Sequence, residues 1–169
     1  MMDLKYDTHL TPKIAKLYAM LSETRERLLE QIKDISQEQL DFSPSITKIE
    51  TIGTLLFHIA AIEFSYIFED IYEEQWDQEE WKYSLALREQ LDPPQMTGKP
   101  ISFYLDKLSE IRERVYSKVL EWTDKDLDRV VKSGKREVTI NWILYHINYH
   151  ESVHIGQINF LKRLFKLEK

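Results

Sequence analysis

Residues 140–161 read INWILYHINYHESVHIGQINFL. Plotted at about 100° per residue, Ile140, Ile143, Ile147, Ile158 and Leu161, with Phe165 just beyond, fall within one sector of about 60°. An apolar seam of this length marks a long helix with one face in a core. His150 and His154 stand in that sector or at its edge, at places where the seam calls for Leu or Ile. A loop containing Ser133-Gly134 precedes this helix, which is expected to start near Glu137 and to run to about Leu167.

Three more helices can be read upstream. Thr11-Pro12 has the form of an N-cap followed by the first helical position. Ile14, Leu17, Tyr18, Leu21, Leu28, Ile32 and Ile35 then recur at helical spacing, giving a first helix over roughly Thr11–Asp34. Ser36 followed by Gln39 has capping-box form, and a short turn of helix is expected before Pro44. A second long helix spans about Thr51 to Glu74, with Gly53 in its first turn. A third starts at Ile101, with Tyr104, Leu105, Leu108, Ile111, Val115, Val119 and Trp122 on one stripe. Between the second and third lies Gln75–Pro100, containing Asp92-Pro-Pro94, Gly98 and Pro100 and one short helix around Trp76–Leu91. Bundle loops usually have about 2 to 8 residues, so this connection must travel the length of the bundle. The expected fold is all-α: a four-helix bundle in a single domain, 1–169, with one long crossover between helices 2 and 3 and short accessory helices.

Composition agrees. The 169 residues include four glycines and five prolines, about half of what average usage of roughly 12% would supply. An all-β chain would spend more at its turns. Without cysteine there is no disulfide framework, thiolate zinc site or cysteine nucleophile. A net charge of -6 argues against nucleic acid or an anionic membrane as partner. The start, MMDLKYDTHL, lacks the apolar stretch of a signal peptide. Uncharged runs such as Thr51–Ile62 and Val138–His150 are too short to cross a bilayer. A cytoplasmic domain acting on a small molecule is the expectation.

Thr51-Ile-Gly-Thr-Leu-Leu-Phe-His58-Ile and Thr139-Ile-Asn-Trp-Ile-Leu-Tyr-His146-Ile match in residue type at most positions, a faint internal repeat. Both carry a histidine at the eighth position, and four of the five histidines (58, 146, 150 and 154) lie in these two helices; His9 precedes the first. An imidazole in an apolar seam costs free energy unless both nitrogens find partners. Two at i, i+4 stack one turn apart and can reach a single cation. His146, His150 and His154 span about 12 Å along the axis, too far for one ion to take all three. Either His150 with His154, or His146 with His150, makes the pair, and His58 can supply a third ligand from the second helix. Neutral imidazoles suit zinc, nickel, copper or iron.

Two other motifs overlap this segment. His150-Glu-Ser-Val-His154 spells the H-E-x-x-H of zinc proteases. The extended pattern fails, because Gly156 comes one residue early and Phe160 stands where a third histidine belongs. Glu151-Ser-Val-His154 has the E-x-x-H spacing of di-iron bundles, which need a second copy, and this chain has none.

His150-Glu-Ser-Val-His154-Ile-Gly-Gln157 resembles the H-x-x-x-H-x-G-Q signature of the DinB-like family. Thr51-Ile-Gly-Thr-Leu-Leu-Phe-His58 resembles the histidine-bearing second helix of that family. The likeness extends over about residues 11–165, including Ser36–Pro44 and Trp122-Thr-Asp-Lys-Asp-Leu127. It implies a four-helix bundle, often a homodimer, in which three histidines bind one divalent metal (zinc, nickel or iron). By position these are His58, His150 and His154, with His146 an extra histidine beside them. The resemblance further implies thiol-dependent transferases and isomerases using a low-molecular-weight thiol, which would supply the thiolate this cysteine-free chain lacks. Three imidazoles leave a coordination position open, as in a catalytic site. Gln157, one turn beyond His154, can reach a ligand or a bound substrate. A metal-dependent hydrolase and a non-enzymatic metal-binding bundle are the competing readings of the same residues.

Overall fold

The computed structural model describes residues 3–45, 49–75, 77, 79–84 and 94–168. The first helix, α1 (Pro12–Ile32), has Pro12 at its start as expected. Its N-cap is Thr11, yet the Thr11 side chain makes no cap bond. Asp124 performs that task from a distance, accepting hydrogen bonds from Thr11 Oγ1 (2.6 Å) and from the backbone N–H of Lys13 (3.0 Å). A carboxylate here satisfies orphan donors and meets the positive end of the helix dipole. The Thr11 hydroxyl is foremost in holding the Asp124 carboxyl below its ordinary range.

Ser36 opens α2 (Gln37–Leu40) with both halves of the capping box formed. In α3 (Ile52–Phe64), Thr51 accepts the cap bond from the Thr54 N–H. The helix continues through a π-helical turn, Ser65–Glu69, and a last turn, Asp70–Tyr72. It ends at Glu73, which adopts a left-handed φ of 56° while the Glu74 N–H bonds back to the Phe68 carbonyl. The Glu73 N–H itself bonds to the Glu69 carbonyl (3.0 Å), the five-to-one bond of an αL stop. Ile52–Tyr72 is long and apolar enough to cross a bilayer by composition, but 89% of its most apolar window is buried by the rest of the chain. Its apolarity is that of a central core helix.

The long crossover returns along α3. Trp81 is buried on Phe57 and Phe64, with ring centroids 4.9 Å and 5.6 Å away. The Met96 N–H donates to Thr54 Oγ1 (2.8 Å), and the Thr51 hydroxyl donates to the Met96 carbonyl (3.2 Å). Lys82–Ser84 are helical; most of the short helix expected around Trp76–Leu91 lies outside the described residues.

Next come α4 (Ile101–Val119), β1 (Val130–Ser133), β2 (Arg136–Thr139) and α5 (Ile140–Glu168). The two strands pair antiparallel, with Val130 opposite Thr139 and Ser133 opposite Arg136. This corrects the expected helix start at Glu137. Residues 137–139 pair with 130–132, and the last helix begins at Ile140, where the Thr139 hydroxyl accepts from the Trp142 N–H (3.1 Å). Thr139 thus caps α5 as Thr51 caps α3, so the internal repeat corresponds to two equivalent helix starts.

The bundle packs α1 against α5, and α3 against both α4 and α5. At its centre, among Leu21, Leu28, Ile59, Leu108, Ile111 and Ile147, lie four buried charges, one from each long helix. Arg25 donates to Glu151 (2.6 Å) and to Glu63 (2.9 Å); Arg112 donates to Glu63 (2.5 Å) and Glu151 (3.1 Å). Both arginines also reach backbone carbonyls across the bundle, Arg25 that of Leu108 and Arg112 that of Leu21. Two cations and two anions leave the group neutral, the arrangement in which buried charge is tolerated. Burial pushes the Glu63 carboxyl up, but Arg112 and Arg25 outweigh it and hold the group below its ordinary value.

Candidate metal centre

Three histidines meet where α3 faces α5. His58 lies two turns into α3; His150 and His154 lie one turn apart on α5. Their ring centroids are 5.1 Å (58 to 150), 5.2 Å (58 to 154) and 4.3 Å (150 to 154) apart. One potential ligand nitrogen from each lies within 4.8 Å of the other two. Nε2 of His150 and Nε2 of His154 are 3.0 Å apart.

The donor set fits a divalent ion. Two nitrogens bound to a tetrahedral zinc at roughly 2.0–2.1 Å lie about 3.3 Å from each other, close to the separation in the α5 pair. The opposite ring nitrogens are engaged in a way that orients the imidazoles. Gln157 Oε1 lies 2.5 Å from Nδ1 of His154, and a carbonyl oxygen can only accept, so Nδ1 carries the proton and Nε2 keeps its lone pair. Ser84 Oγ lies 2.8 Å from Nδ1 of His58 and fixes the orientation of that ring. Such outer partners set tautomer and orientation in histidine metal sites. Burial lowers the pKa of His154, against smaller opposing effects of Gln157, Glu50 and Glu151, which favours the neutral form a metal needs.

Of the two α5 pairs left open by the spacing, the one with His154 faces His58. His146 turns away: its ring stacks on Trp142 (4.5 Å, 13°) and meets Tyr66 edge-on (5.0 Å). Burial and the nearby Arg136 charge push its pKa down. His146 instead lines a cavity of about 410 Å³ that abuts His150. Tyr66 and Glu69 of the π-helical turn, Trp142, and Arg136 of the hairpin complete its walls. Glu151 is committed to the arginines of the core, which removes it as the general base the H-E-x-x-H reading would require.

Sequence reasoning missed three parts of this region. Ser84 sits in the crossover, where no periodicity singles it out. The Glu69 and Arg136 walls depend on a π-helical turn and a hairpin. The Arg25–Glu63–Arg112–Glu151 group did leave a signal: each member occupies a seam position, three or four residues from buried Leu21 and Leu28, Ile59, Leu108 and Val115, or Ile147. Among the described residues, no other element of the fold lies within 4 Å of where a Cβ on Gly156 would stand.

Comparison with known proteins follows the same lines. A family model described as the DinB superfamily matches residues 20–158. Over 167 residues the chain is 21% identical to the uncharacterized protein YkkA of Bacillus subtilis strain 168, covering 98% of this chain and 95% of that protein. The crystal structure of a conserved protein from Enterococcus faecalis aligns with a TM-score of 0.66 at 18% identity, over 88% of this chain and 94% of the other. That of a DinB-like protein from Bacillus cereus ATCC 10987 aligns with a TM-score of 0.62 at 16% identity, over 86% and 90%. At these identities the two structures show a shared fold.

Proposed function

The chain belongs to the DinB superfamily, and from that premise we propose that it is a cytoplasmic metal-dependent transferase or isomerase that joins a low-molecular-weight thiol to a small electrophile. The observation that carries this reading is the convergence of His58, His150 and His154 beside a cavity of about 410 Å³. Zinc or nickel suits the three imidazoles best, and iron is also compatible.

A divalent cation held by His58, His150 and His154 would supply Lewis acidity, which lowers the pKa of a thiol ligand. The chain's own residues supply the rest. Gln157 holds the His154 ring in the ligating tautomer, and Ser84 orients the His58 ring. The Arg25–Glu63–Arg112–Glu151 group fixes α5 against α1, α3 and α4, and with it the direction in which His150 and His154 point. Trp142, Tyr66 and His146 give the cavity an aromatic wall beside His150, against which an electrophile can lie.

The test is conjugation of 1-chloro-2,4-dinitrobenzene with L-cysteine by zinc-loaded protein. Turnover that needs both metal and thiol, and falls at least 100-fold in His150→Ala, is the expected result. A rate equal to that of the variant would overturn the reading. Hydrolysis of a model ester that persists without thiol would replace it with a metal-dependent hydrolase.

A further inference from the structure

The cavity beside His150 is lined by charges of both signs. Glu69 is half-buried in the π-helical turn, its Oε2 accepting from the Ser65 hydroxyl (2.7 Å). Arg136 lies exposed at the first position of β2 and has no ion-pair partner among the described residues. Both line the same cavity, with Asp70 next to Glu69. A purely anionic ligand would face the Glu69 carboxylate, and a purely cationic one would face the guanidinium. A ligand with an ammonium and a carboxylate meets complementary charge at both ends. Arg136 can clamp a carboxylate through two N–H groups.

Resting on the thiol reading above, we infer that the thiol is an amino acid derivative: its ammonium group lies at Glu69, its carboxylate at Arg136 and its sulfur toward the three histidines. Cobalt-loaded protein gives a readout independent of turnover, because a thiol bound to cobalt(II) adds an intense charge-transfer absorption. L-Cysteine is expected to bind at least 10-fold more tightly than cysteamine, which lacks the carboxylate, and than 3-mercaptopropionate, which lacks the amine. Arg136→Gln should erase the advantage over cysteamine. Glu69→Gln should erase the advantage over 3-mercaptopropionate. Equal binding of the three thiols, or a ranking unchanged in both variants, overturns the inference while leaving the thiol reading intact. If no thiol produces the absorption, the thiol reading falls. The charge inference is then decided by calorimetry with L-serine, ethanolamine and 3-hydroxypropionate, where a preference for L-serine upholds it and its absence overturns it.

Discussion

Glu151 accepts a hydrogen bond from Nε of Arg25 at 2.6 Å across the centre of the bundle, although its sequence neighbour His150 faces the opposite task at the candidate metal centre. One residue of helix turns the chain by about 100°. Adjacent positions therefore serve two different sites, one neutral and structural, the other open to a cavity.

Removing one member of the buried charge group leaves its partners uncompensated. Glu63→Gln is expected to lower stability by about 3–5 kcal/mol. Chemical denaturation followed by circular dichroism measures this directly. A loss of under ~1 kcal/mol, as for exposed pairs, would show that the group does not bind as described.

The same carboxyl sets a pH dependence. Its folded pKa lies below the ordinary value of 4.5, so its contribution is complete above that pH and is lost as pH falls through the lower folded value. Melting temperatures measured from pH 7 down to pH 3 should fall in the wild type below about pH 4.5. In Glu63→Gln the starting value should be lower and the decline shallower over that range.

Gly53 and Tyr104 offer a pairwise test. The Tyr104 ring is fully buried against the backbone of Gly53, and its hydroxyl has no hydrogen-bond partner among the described residues. Alanine at position 53 would press its Cβ into that ring, so Gly53→Ala should destabilise by about 1–3 kcal/mol despite better helix propensity. Tyr104→Phe removes an unpaired hydroxyl and should be neutral or slightly stabilising. In the double variant part of the Gly53→Ala penalty should disappear, which a double-mutant cycle detects.

Around the metal centre the histidines should separate by role. His146→Ala is expected to leave zinc affinity within about twofold of wild type, because its ring belongs to the Trp142 and Tyr66 stack. Ser84→Ala and Gln157→Ala, which lose orienting bonds, should each weaken zinc binding about 10- to 100-fold. Competition against a chromophoric chelator reads all three.

Much of this was legible in the residues alone. The seam of α5, the capping box at Ser36–Gln39 and the Thr51 cap all appear where local physics puts them, since each depends on residues within one or two turns. The α5 pair could not be chosen from spacing, because 146 with 150 and 150 with 154 are equivalent along one helix; only the position of α3 decides. The hairpin was read as loop and first helical turn, although Val130, Val131, Val138 and Thr139 are β-branched and flank a Gly134 with φ of 59°. The cross-strand bonds that override a helical start at 137 are not local. Ser84 depends on the path of the crossover and has no local signature.

The central claim is that imidazoles from two separate helices hold one cation. Elemental analysis of purified wild type, His58→Ala, His150→Ala and His154→Ala, each checked for native helicity, tests it most directly. The account predicts one zinc-class ion per chain in the wild type and less than a tenth of that in each variant. Full metal content in folded His58→Ala, or a folded wild type that takes up no divalent ion from zinc, nickel or iron, would contradict it.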